Sequence, residues 1–168
     1  TDYTSESAST ATAWSTGHKT SDGRVSTAAG SDNDLPTMLE LARRSGYRTG
    51  NVTTSEMTDA TPAAAMAHVA NRSCQGPRDM ARCPQDAKAA GGPGSIAEQS
   101  VDTGVNVLLG GGKARYDQVV DSGPYAGQTV LQSASAQGYQ VVTDRASLDT
   151  ASGGKVLGLF TGGNLSVD

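Results

Sequence analysis

Leu35-Pro36-Thr37-Met38-Leu39-Glu40-Leu41-Ala42-Arg43-Arg44-Ser45-Gly46, followed at once by Tyr47-Arg48-Thr49-Gly50-Asn51-Val52-Thr53-Thr54, is the stretch on which the fold turns. Leu35, Met38, Leu39 and Ala42 fall at i, i+3, i+4 and i+7, the spacing of one buried helical face. Pro36 sits in the first turn, the two arginines complement the C-terminal dipole, and Gly46 ends the helix. The polar but β-competent run around Val52 then reads as a strand. One helix leading directly into one strand is half of a parallel α/β unit.

The same alternation repeats outward. Thr61-Pro62 looks like a helix N-cap and first position, opening an alanine-rich helix that carries His68 and reaches Arg72. Ser95 with Glu98 forms a capping box ahead of a short helix to Val101. Strands follow at Val105–Leu109, Tyr139–Thr143 and Lys155–Phe160, with a helix between Tyr125 and Gly138. Val25 belongs to a short extended piece. The fold class is therefore α/β, a mainly parallel central sheet flanked by helices. Ligands of such sheets bind at the carboxyl ends of strands, where Asp59 and Thr61 lie.

The chain has 168 residues and 36% hydrophobic but only 4% aromatic content, with 21 glycines. Its net charge of −4 excludes a general nucleic-acid binder, which needs a basic surface. No apolar run approaches membrane-spanning length. The thin core, an opening within a motif and an end just after an apolar strand predict one partial domain over 1–168, poorly stable alone. Cys74 and Cys83 frame a short Pro/Gly loop and read as a local disulfide, hence an exported protein. The metal alternative would need further ligands nearby, and the sequence has none there.

Gly110-Gly111-Gly112-Lys113 invites a phosphate-loop reading, but the glycine spacing is wrong and Ala114 stands where a hydroxyl is needed. A tight strand-end turn fits better. No Gly-x-Ser-x-Gly elbow occurs. Of the two histidines, His68 is expected to be packed and hydrogen-bonded. The remaining chemistry lies in Thr1–Lys19 and its partners. Glu6 precedes a run of small residues, Ser7–Ala13, that suits a helix pressed against other backbone. Ser7 would then sit in the first turn, where free N–H groups favour an anion. Arg72 suits a phosphate, and Asp59 and Thr61 offer oxygens suited to magnesium. Each also has a plain structural use, as cap, turn or helix end.

Thr1-Asp2-Tyr3, Glu6-Ser7-Ala8 and Thr12-Ala13-Trp14-Ser15-Thr16-Gly17 resemble the nucleophile motif of the bacterial alkaline phosphatases. The resemblance continues through Thr49–Glu56, Asp59–Ala64, Ala67-His68-Val69 and Arg72 to Cys74-Gln75-Gly76-Pro77. Gly94-Ser95-Ile96, Leu109–Gly112 and Leu157–Phe160 extend it over essentially the whole chain. It implies hydrolysis of phosphate monoesters through a phosphoserine on Ser7, with Arg72 holding the phosphate oxygens and Glu6 beside them. It implies two zinc ions, one touching Ser7, and a magnesium held by Thr61 and, through water, Asp59. It further implies a disulfide between Cys74 and Cys83, a periplasmic or secreted location, and a homodimer of the full-length protein.

Two departures qualify the resemblance. Glu6 stands where the family has an aspartate, and the extra methylene predicts a looser hold on Arg72. The family's zinc ligands have no counterparts within these residues. The competing expectation is a catalytically silent fragment that binds phosphate or a complementary chain.

Overall fold

The computed structural model describes residues 4–166. Four strands, β1 (Gly50–Glu56), β2 (Val107–Gly111), β3 (Gln140–Val142) and β4 (Val156–Leu159), form one sheet in the order β1-β2-β4-β3. Every pairing is parallel, with Val52 beside Leu109, and Leu109 and Val142 both beside Gly158. Parallel neighbours require crossovers, and helices supply them. These are α3 (Ala60–Ala63) and α4 (Ile96–Asp102) after β1, α5 (Lys113–Tyr116) and α6 (Val130–Ala136) after β2, and α7 (Arg145–Asp149) after β3. Before the sheet come α1 (Ser7–Thr16) and α2 (Met38–Arg44). No helix among the described residues is long and apolar enough to cross a membrane.

Two cores divide the labour. Met57, Leu108, Tyr116, Leu157 and Leu159 fill the sheet's core and are essentially inaccessible. The second core is built from methyl groups: Ala8 and Ala11 of α1 meet Ala60, Ala63, Ala64 and Ala67, with Val25, Val69, Cys74 and Cys83 around them. Small residues allow α1 and α3 to approach closely, and this second core carries the candidate site. The Cys74–Cys83 disulfide is present and both sulfurs are buried in it.

The alanine-rich run is not the helix that its composition suggests. Only Ala60–Ala63 is α-helical, Asp59 rather than Thr61 is the N-cap, and Arg72 lies well beyond the helix. The cause is tertiary. Ser15 and Ser26 hydroxyls both donate to the Ala64 carbonyl, Thr37 to Ala65 and Thr103 to Met66. With those carbonyls claimed, the next helical turns lose their acceptors. The chain instead straightens to a bridge between Val69 and Val25. His68 lies in that extended segment, its ring bonded to the Ser26 carbonyl and to Glu40.

The amphipathic reading of α2 also needs correction. The helix begins at Met38, capped by a reciprocal pair of bonds between Thr37 and Glu40. None of its residues is buried; Met38 is 60% exposed and Leu41 52%. Leu39 alone of its apolar side chains leans on the sheet core. Gly110 and Gly111 extend β2 instead of turning out of it; Gly112 alone, at φ 89°, makes the turn into α5, where Lys113 pairs with Asp117.

Candidate active site

Glu6 organises the site. Its extended backbone stops α1 at Ser7, and its carboxylate caps the helix: Oε2 accepts from Ala8 N–H and Oε1 from Ser9 N–H, both at 2.9 Å. Oε1 also accepts from Gly23 N–H at 2.8 Å, and Oε2 from Arg72 Nη1 at 2.9 Å. The longer side chain thus reaches Arg72 directly. At its other end, α1 stops because Gly17 adopts φ 76°, which lets its N–H return to Ala13.

Arg72 is held from a second side by Asp59, whose Oδ1 accepts from Nη2 at 2.6 Å. Asp59 follows the carboxyl end of β1 and caps α3 through Ala60 N–H. The Arg72 backbone N–H donates to Gly23 at 2.7 Å, so chain and side chain are both fixed. Burial works against the guanidinium charge, but Glu6 and Asp59 raise its pKa above the ordinary value. Two of its five N–H groups serve the carboxylates, leaving three for a ligand.

Ser7 is exposed at the first position of α1, and its hydroxyl has no hydrogen-bond partner among the described residues. It lines a shallow hollow with Glu6, Trp14 and exposed Thr61. Glu6 also lines the adjoining cleft, about 550 Å³, that contains Asp59 and Arg72. The structure therefore brings Glu6, Asp59 and Arg72 into contact and sets Ser7 and Thr61 on the far side of Glu6. Sequence reading missed Gly23, Arg115 and Arg82 in the cleft wall. The Asp22-Gly23 turn and the placement of Arg82 beside Cys83 were the available signals.

The donor set fits the implied metals only in part. No group of three His, Cys, Asp or Glu side chains converges among the described residues. His68 is spent on Ser26 and Glu40, and His18 lies exposed beyond α1. A zinc pair is therefore not supported by these residues. Asp59 and Thr61 are oxygen donors of the kind magnesium takes, but fewer than its six-fold shell needs.

The carboxylates make stability depend on pH. Burial alone would raise the Glu6 pKa, but the Ala8, Gly23 and Ser9 amides and Arg72 bring it down to about 2. Burial is likewise outweighed at Glu40 by His68 and Thr37, which bring it to about 2. Burial would lower His68, yet Glu40 and the Ser26 carbonyl raise it above its usual 6.5. Groups with depressed values stabilise above the unfolded pKa of 4.5 and lose that contribution as pH falls toward about 2. His68 stabilises below 6.5 and loses its contribution as pH rises through its raised value. Urea midpoints measured against pH should therefore fall on both sides of the interval 4.5–6.5. His68→Asn should flatten the alkaline side, and an unchanged alkaline limb would contradict the assignment.

An arginine fixed by two carboxylates, with Glu6 linking it to the first turn of α1 and Asp59 to the carboxyl end of a parallel strand, sits in an α/β fold. Residues 2–168 match the family model for alkaline phosphatase, and the chain belongs to that family. It is 57% identical over 159 residues to streptomycin-6-phosphate phosphatase of Streptomyces griseus, covering 94% of this chain and 35% of that protein. It is 44% identical over 171 residues to alkaline phosphatase of Escherichia coli strain K12, covering 99% and 36%. The solved alkaline phosphatase of Thermus thermophilus superposes with a TM-score of 0.76 at 28% identity, over 98% of this chain and 30% of that one. The cold-active enzyme of Shewanella sp. gives 0.73 at 30% identity, over 99% and 34%. The chain thus spans about a third of the length of the relatives it matches.

Proposed function

We propose that the chain carries the nucleophile and the phosphate clamp of a phosphate monoesterase. The observation that carries this reading is Arg72, fixed by Glu6 and Asp59 with three N–H groups unspent, while Ser7, the residue after Glu6, keeps an exposed hydroxyl with no partner among the described residues. Arg72 grips two non-bridging oxygens and neutralises charge that grows as the phosphoryl group transfers. Ser7 Oγ attacks phosphorus as the bond to the ester oxygen breaks, and the alcohol leaves with a proton. Water then cleaves the phosphoserine, returning Ser7 and releasing phosphate. Asp59 and Thr61 offer oxygens on the magnesium side, and a bound cation there would act as a Lewis acid. The buried disulfide supports an exported protein.

A second reading has its own support. The chain spans about a third of its relatives, and no metal-ligand cluster converges among its described residues, which favours a catalytically silent chain that binds phosphate or a complementary chain. Acid quenching during hydrolysis of a phosphate ester, with zinc and magnesium present, separates the two. Phosphate on the peptide containing Ser7 supports the esterase. Neither turnover nor label supports the silent binder, and label on another residue overturns the Ser7 assignment.

A further inference from the structure

We propose that Arg82 forms a second anion contact in the Arg72 cleft, so that the site prefers phosphate esters whose alcohol portion bears another anionic group. This rests on the reading of Arg72 as the phosphate clamp. The charges of the cleft are almost all committed to one another. Glu6 and Asp59 hold Arg72, and Asp79 together with Glu56 holds Arg115. Asp79 also accepts from Gly76 N–H and Gln118. Arg82 lines the same cleft and makes no ion pair or side-chain hydrogen bond among the described residues. The uncommitted charge of the cleft wall is therefore one guanidinium.

Its position is built rather than incidental. Arg82 closes a 3₁₀ turn, Pro77–Arg82, whose Pro77 and Met80 are buried. Cys83 follows it, and the disulfide joins Cys83 to Cys74, two residues beyond Arg72. Both arginines thus stand at the edges of one covalently closed loop, on a shared cleft. A phosphoryl group at Arg72 leaves Arg82 free for a carboxylate, sulfate or second phosphate on the departing portion, and a bidentate guanidinium contact suits each.

Binding of propylphosphonate and propane-1,3-bisphosphonate tests this, because the two differ only by the second anion. Calorimetric titration of the protein should show the bisphosphonate binding about tenfold more tightly, the effect of one charge-assisted contact at a partly exposed site. Arg82→Gln should bring the two affinities together while leaving propylphosphonate within about twofold, since the clamp is untouched. Equal affinities in the unmodified protein, or an unaltered ratio in Arg82→Gln, would overturn the inference. Arg72→Gln tests the underlying reading separately: it should weaken both ligands. If only Arg72→Gln fails to act, the clamp assignment falls and the anion contact at Arg82 stands. If neither ligand binds the unmodified protein, both fall.

Discussion

Ser7→Ala should remove phosphate-ester turnover by on the order of 10³-fold or more while leaving the fold intact. The expected separation of the two effects follows from where the side chain sits. Ser7 is the first residue of α1, exposed, with its hydroxyl bonded to nothing among the described residues. The cap belongs to Glu6, and the packing belongs to Ala8 and Ala11 on the inner face. Alanine is a good helix former, so the urea midpoint should correspond to a change within about 0.5 kcal/mol. Phosphate affinity should also survive, because Arg72 keeps both carboxylates. Turnover and midpoint measured on one preparation decide the matter. Substantial activity in Ser7→Ala would show another nucleophile, and a large stability loss would show a structural task that the hydroxyl does not display.

Opening the Cys74–Cys83 bridge should cost about 2–3 kcal/mol, the loop-closure entropy regained by an unfolded chain with so short a ring. Reductant should lower the urea midpoint of the unmodified protein and leave a Cys74→Ala, Cys83→Ala double variant unmoved. The same opening should weaken inorganic phosphate binding several-fold, since charge-assisted contacts depend on Arg72 being held in place. Arg72 lies two residues from Cys74, and its own backbone is tied to Gly23. A midpoint indifferent to reductant would show that burial among the alanines, not the cross-link, holds this loop.

The parts of the molecule legible in the sequence are those settled by neighbours in the chain. The Ser95–Glu98 capping box is present as read, and so is the parallel sheet, with strand ends displaced by one to three residues. Thr37 and Glu40 carried the same capping signal, three residues apart, and mark the start of α2 better than Pro36 did. The alanine run defeated local reading because its carbonyls are claimed by hydroxyls 28 to 49 residues distant in sequence. Helix propensity cannot anticipate an acceptor taken from outside. Within the site, Glu6, Asp59 and Arg72 are candidates from residue chemistry and again from the resemblance, but their mutual contacts required the fold. Arg82 and Gly23 carried only the faint signals of a place beside Cys83 and an Asp-Gly turn. Gly23 matters only through its backbone, and Arg82 only because a disulfide delivers it to the cleft.

One carboxylate receives four donors: the amides of Ala8, Ser9 and Gly23 and the guanidinium of Arg72. Winding the first turn of α1 and aiming the arginine are consequently coupled. Fraying of the helix at this end takes one of its two carboxylate contacts from Arg72 and leaves Asp59 as the other, and a swing of Arg72 takes one of four donors from the cap. Linkage then runs both ways between cleft and helix: whatever favours Arg72 in this position favours the first turn of α1 through the same carboxylate, and the reverse.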